Sequence, residues 1–90
     1  MRIKLSDYIA QFLVSHGVKD VFTVTGGGAM HLNDSFGHYE GLNCIYNHHE
    51  QGSAIAAESY ARLTGKVPVL CVTTGPGGIN ALTGVFGAWV

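Results

Sequence analysis

The sequence predicts an α/β fold, a parallel sheet with helices on both faces. Three features carry this expectation. Helix-type and strand-type segments alternate in the order αβαβαβα, the pattern of parallel strands joined by crossover helices. The third strand-type run, Val67 to Thr73, is apolar almost throughout, as a strand covered on both faces is. Each strand-type run is followed closely by a glycine-rich or polar loop: Thr25 to Gly28, Asn47 to Glu50, and Thr74 to Gly78. Ligands of such sheets bind beyond the carboxyl ends of the strands, so these three loops form the candidate site.

The elements follow in order. Ser6 suits an N-cap and Asp7 suits the positive end of a helix dipole. Ile9, Phe12, Leu13 and His16 then recur at helical spacing, with Gly17 as the stop. A helix is expected from about Asp7 to His16. Val21 to Val24 is a short β-branched and aromatic run, hence a buried strand. A second helix is expected from Ala29 to about Phe36, ended by Gly37. Asn43 to Tyr46 reads as the second strand. Glu50 to Thr64 carries the strongest helix signal, rich in alanine and stopped by Gly65. Val67 to Thr73 is the third strand, and a last helix runs from Ile79 to the end.

The whole chain is at most one domain: it has 90 residues. Only 12% of them are charged and 47% are hydrophobic, against about 25% charged in a typical soluble domain. Such a surface is expected to be covered by more chain or by another subunit. Three strands with one bare flank make half of a usual α/β domain, and Ala88-Trp89-Val90 lies inside an apolar helix. The chain is therefore expected to be a fragment of a longer protein. Net charge is −1 with no basic run, which argues against nucleic acid as a partner. No apolar run reaches the roughly 18 residues of a membrane span. Cys44 and Cys71 form no CxxC pair, and the N-terminus enters a helix rather than a leader. Both point to reduced thiols and a cytoplasmic location.

Several motifs are tested against plainer readings. Gly26-x-Gly28-x-x-His31 resembles a dinucleotide fingerprint, but His31 replaces its third glycine. Thr74 to Gly78 lacks the Gly-Lys-Ser/Thr of a phosphate loop. Adjacent His48 and His49 point to opposite sides of extended backbone and do not grip one metal, so no metal site is expected within the chain. Glu50 heads the alanine-rich helix. As a lone feature it reads as a first-turn acid that complements the helix dipole, or as a buried functional carboxylate. Glu58 reads as a solvated or salt-bridged face residue.

The stretch Tyr46-Asn47-His48-His49-Glu50-Gln51-Gly52-Ser53-Ala54-Ile55-Ala56-Ala57-Glu58-Ser59-Tyr60-Ala61-Arg62, followed by Thr73-Thr74-Gly75-Pro76-Gly77-Gly78-Ile79-Asn80, resembles the N-terminal pyrimidine-binding domain of thiamine-diphosphate enzymes. The likeness is to the acetolactate synthase-like group, which includes pyruvate decarboxylases, benzaldehyde lyases and oxalyl-CoA decarboxylases. It covers essentially all 90 residues in order and spacing. It implies that the chain is the N-terminal part of a pyrimidine-binding domain with the thiamine-diphosphate-binding fold. It implies an enzyme, lyase or transferase, that makes or breaks a C–C bond next to a carbonyl, on a 2-keto acid or a related substrate. The alternative is a non-catalytic dimerisation or assembly domain of the same fold.

The resemblance also implies residue roles. Glu50 matches the catalytic glutamate, which hydrogen-bonds a ring nitrogen of the cofactor's aminopyrimidine. Thr25, Gly26, Gly27, Gly28 and Ala29 match the loop whose backbone lies beside the cofactor. Thr73, Pro76 and Asn80 match positions that line or support the pyrimidine pocket. The diphosphate and Mg²⁺ belong to a separate domain, usually a partner subunit's, and the Gly-Asp-Gly…Asn motif that holds them is absent here. Homodimers or tetramers are implied, with the small residues from Gly52 to Ala61 forming close contact between subunits. Burial under the glycine loops is expected to raise the Glu50 carboxyl pKa. One departure leaves the substrate open. Acetolactate synthases usually carry Tyr-Pro-Gly-Gly in the first loop, and this chain has Thr25-Gly26-Gly27-Gly28.

Overall fold

The computed structural model describes residues 2–90. The helices are α1 (Leu5–Ser15), α2 (Met30–His38), α3 (Glu50–Thr64), α4 (Pro76–Asn80) and α5 (Leu82–Trp89), with a 3₁₀ turn at Gly27–Ala29. The strands are β1 (Asp20–Thr23), β2 (Asn43–Tyr46) and β3 (Val69–Cys71). They form one parallel sheet in the order β2-β1-β3, with Val21 opposite Cys44 and Val69, and Thr23 opposite Tyr46 and Cys71.

Strand alternation divides the core between two faces. Val21, Val69 and Cys71 meet Ala10, Ala29 and Phe36 from the α1/α2 side. Phe22 points the other way and meets Tyr60 of α3 edge-on, with ring centroids 5.7 Å apart. Leu70 shares that side with Ala54 and Ala57 of α3 and Gly84 of α5. Helices thus cover both faces, as the alternation of segments predicts. Among the described residues no helix is long and apolar enough to cross a membrane.

Local details differ from expectation for physical reasons. Ser6 is not the cap of α1: Lys4 precedes the helix and no side chain caps it. The Ser6 hydroxyl is buried and shares a 2.7 Å hydrogen bond with Ser35 Oγ, which also reaches Asp7 Oδ1 at 2.6 Å. Tertiary contact thus takes the group that a cap needs. Gly37 does not stop α2, because the left-handed turn falls at Gly41, φ 101°. β3 is shorter than Val67 to Thr73, since its pairing ends where β1 ends, at Thr23 opposite Cys71. The final helical region begins earlier than Ile79. Pro76 opens α4 at its first turn, where a missing N–H costs nothing, and the region breaks at Ala81 before α5.

The small residues of α3 are used within the chain. Ala54, Ala57 and Ala61 face Gly84, Val85 and Ala88 of α5, and a Cβ on Gly84 would collide with Ala54. Gly52 and Ile55, on the same stretch, are exposed. The outer side of α5 is left open, with Trp89 87% exposed and Phe86 66%.

Candidate functional site

The parallel register places the three loops together at the carboxyl ends of the strands. Asn47 N–H donates to Thr23 O at 3.0 Å, which turns the chain out of β2 beside the end of β1. His49 then caps α3: its Nδ1 accepts from Gln51 N–H at 3.0 Å. Asn47 Oδ1 accepts from Ser53 Oγ at 2.7 Å. These bonds fix the first turn of α3, and Glu50 is its first residue.

Glu50 faces the third loop. Its Oε1 accepts from Asn80 Nδ2 at 3.2 Å, 30 residues away in sequence. Its Oε2 lies 3.6 Å from where a Cβ on Gly77 would stand. The expected rise in the Glu50 pKa is not found. Its own backbone N–H first, then the Asn80 amide, hold the carboxyl below the ordinary glutamate range. Burial opposes them only weakly, because the glycine loops do not cover this side chain.

Thr73 joins the first and third loops. Its Oγ1 accepts from Gly28 N–H at 3.0 Å. A Cβ on Gly26 would stand 2.6 Å from Thr73 Cβ, and one on Gly77 would stand 2.9 Å from Thr73 Cγ2. The glycines are needed where backbone meets Thr73, whereas Gly27 has nothing within 4 Å. Gly75 has φ 66°, a left-handed value that favours glycine.

Of the residues singled out from sequence, Gly26, Gly28, Thr73, Glu50 and Asn80 are linked through these contacts. Thr25 and Pro76 are exposed at the loop edges. Ala29 is buried in the core against β1 and α2, so it offers the loop its backbone only. Sequence reasoning missed Asn33, His49 as a cap, and the Asn47–Ser53 pair. His49 directly before Glu50 was the available signal. Lys4 pairs with Asp34, and Arg62 bonds Glu58 and Gly87 O, so these two cations lie away from the three loops. Among the described residues no three His, Cys, Asp or Glu side chains cluster to hold a metal. A groove of about 420 Å³ lies between α1 and α2 and is lined by Leu5, Ile9 and Leu32, away from Glu50.

Comparison with known proteins agrees with this geometry. Residues 3–90 match the family described as thiamine pyrophosphate enzyme, N-terminal TPP binding domain. The acetolactate synthase large subunit of Lactococcus lactis subsp. lactis (strain IL1403) is 41% identical over 85 residues, 94% of this chain and 15% of that protein. The isozyme 3 large subunit of Escherichia coli (strain K12) is 35% identical over 85 residues, with the same coverage. Acetolactate synthase 2, chloroplastic, of Nicotiana tabacum is 38% identical over 82 residues, 91% of this chain and 12% of that protein. The chain thus spans about 15% of the length of such relatives. With its parallel sheet, its Glu50–Asn80 pair and a family match over nearly its whole length, the chain belongs to the N-terminal TPP-binding domain family of the thiamine pyrophosphate enzymes.

Proposed function

We propose that this chain is the N-terminal part of the pyrimidine-binding domain of a longer, thiamine-diphosphate-dependent enzyme that makes or breaks a C–C bond next to a carbonyl. The single observation that carries the proposal is the meeting of Glu50, Asn80 and Gly77 at the carboxyl ends of the parallel strands. The donor set suits the aminopyrimidine end of the cofactor. It offers a carboxylate oriented by an amide, flanked by loops whose glycines bring backbone close. Among the described residues no three His, Cys, Asp or Glu side chains cluster to hold a metal beside it. On this reading a separate domain holds the diphosphate and Mg²⁺, and the protein is a cytoplasmic homodimer or tetramer.

When bound, thiamine diphosphate supplies an acidic ring carbon and an electron sink for the substrate carbonyl, while the protein supplies orientation and electrostatics. Glu50 would hold a pyrimidine ring nitrogen of the cofactor through a shared proton. Asn80 Nδ2 already occupies Glu50 Oε1, which would leave Oε2 for that nitrogen. Thr73 holds the first loop through Gly28 N–H, so Thr25 to Ala29 present backbone beside the ring. Cover from a partner domain would exclude water and add to the desolvation of the carboxyl. The substrate class is a 2-keto acid or related carbonyl compound, and the reaction is that of a lyase or a transferase. The open apolar face of α5, with Phe86 and Trp89, favours a second reading, an assembly domain without catalysis.

Glu50→Gln in the full-length protein separates the two. Gln keeps the size and an acceptor but cannot exchange the proton. Cofactor affinity is expected to hold, and deuterium exchange at the reactive ring carbon to slow by about 10²–10⁴-fold. Glu58→Gln is the control, since Glu58 lies two turns beyond Glu50 on α3 and pairs with Arg62. Exchange and turnover within about threefold of the parent, far below the usual acid–base contribution, would leave Glu50 a helix-start acid and favour the assembly reading.

A further inference from the structure

We infer that Asn33 is a positioning residue, the latch that sets the first glycine loop for the cofactor. Asn33 lies on α2, half-buried, seven residues beyond Gly26. Its Oδ1 accepts from Gly26 N–H at 3.2 Å. Its Nδ2 donates to Cys71 Sγ at 3.7 Å, 38 residues away at the end of β3. The amide orientation follows from the chemistry: Gly26 N–H can only donate, so the oxygen must face it. The thiol is a weak acceptor, and this second bond mainly aims the amide.

The two loop amides are therefore held from opposite sides. Asn33 holds Gly26 N–H from α2, and Thr73 holds Gly28 N–H from the end of β3. Between them the 3₁₀ turn closes through Ala29 N–H on Gly26 O at 3.1 Å. Gly26 is thus bonded through both its N–H and its carbonyl, and its N–H has Asn33 as partner. Loss of the Asn33 acceptor leaves a half-buried donor unsatisfied or lets the loop swing toward water. The loop that moves is the one whose backbone the cofactor would meet.

The relevance of this latch to the cofactor rests on the function proposed above; its effect on the loop does not. The test uses the full-length protein with Asn33→Leu, which keeps the shape and removes both bonds, and Asn33→Asp, which keeps the Gly26 acceptor. Hydrogen exchange without cofactor reads the loop, and calorimetric titration with thiamine diphosphate and Mg²⁺ reads the site. In Asn33→Leu the Gly26 amide is expected to exchange about tenfold faster relative to the β1 amides, the loss of one net hydrogen bond. Thiamine diphosphate is expected to bind about tenfold more weakly, as the competent loop becomes less populated. Asn33→Asp is expected to keep both within about threefold of the parent, since the acceptor remains. Unchanged Gly26 exchange in Asn33→Leu overturns the inference. So does faster exchange with unchanged affinity. If Glu50→Gln abolishes turnover while Asn33→Leu changes nothing, the latch fails and the proposed function stands.

Discussion

Gly26→Ala isolates the steric demand at the heart of the cleft. Gly26 has φ −172° and ψ 161°, extended backbone that alanine adopts freely, so the backbone itself carries no strain. The difficulty is Thr73. The added methyl would stand 2.6 Å from both Thr73 Cβ and Cγ2, where contact between carbons is comfortable at about 3.5–4.0 Å. About 1 Å must be recovered. Thr73 cannot turn aside, because a β-branched side chain is stiff at χ1 and Gly28 N–H holds its Oγ1. The loop must move instead, at a cost of about 1–3 kcal/mol for overpacking. At 1.4 kcal/mol per factor of ten, the cofactor-competent loop falls in population by about 5–150-fold, and apparent affinity falls with it. Alanine also removes about 0.4–1 kcal/mol of unfolded-state entropy, so thermal stability drops less than affinity. Gly27→Ala is the matched control: it has nothing within 4 Å and is expected to keep its affinity. Thiamine diphosphate titrations of both full-length variants decide the matter. Binding by Gly26→Ala within about twofold of the parent, under 0.5 kcal/mol, or an equal loss in Gly27→Ala, refutes the steric argument.

Three further outcomes concern the frame around the site. Gly84→Ala sets a methyl against Ala54, whose backbone carbonyl carbon lies 2.7 Å from the new Cβ; overpacking of about 1–3 kcal/mol outweighs a helix-propensity gain of about 1 kcal/mol, so urea unfolding is expected at lower concentration. Gly87→Ala meets only Glu58 Oε1, at 2.7 Å, the movable end of a side chain; it is expected to be neutral or slightly stabilising, and a loss as large as that of Gly84→Ala counts against the packing described. Tyr60→Phe removes the hydroxyl that donates to Asp20 Oδ2 at 2.6 Å, the main reason, ahead of Asn43, that the Asp20 carboxyl lies below its ordinary value. A lowered folded-state pKa stabilises above the unfolded value and is lost as pH falls through the folded one. The Tyr60→Phe deficit is therefore expected near neutrality and to shrink in acid, and carboxyl NMR should show Asp20 titrating higher; a deficit that persists undiminished in acid refutes this.

The fold was legible where signals are local. α3 runs from Glu50 to Thr64 as its alanine content and Gly65, φ 72°, indicate, and β2 falls on Asn43–Tyr46 as expected. Errors arose where a tertiary partner took a local signal. Ser6 has a cap's chemistry, but Ser35 draws it into the core. Of the small residues of α3, Ala54, Ala57 and Ala61 pack on α5, while Gly52 and Ile55 stay exposed. The site was legible in outline, because strand order alone puts three loops at one edge. Its internal wiring was not. Nothing in the spacing of Asn33, Gly26 and Cys71 announces that α2 reaches across to hold a loop.

The lowered pKa of Glu50 brings together two readings of that residue that seemed opposed. A first-turn acid gains from the helix N-terminus, and so does Glu50, through its own backbone N–H. A carboxylate that shares a proton with a ligand needs its pKa raised toward neutrality. Both hold if the two conditions belong to different states. In the chain as folded, the Asn80 amide and the backbone N–H stabilise the anion, and little burial opposes them. What changes on covering is desolvation, the term that raises a carboxyl pKa. A half-site poised as an anion would thus become a proton-sharing group only once a ligand and a second domain close over it. On the proposed function, the preformed Glu50–Asn80 pair supplies orientation, and the change of protonation state would come with the ligand and its cover.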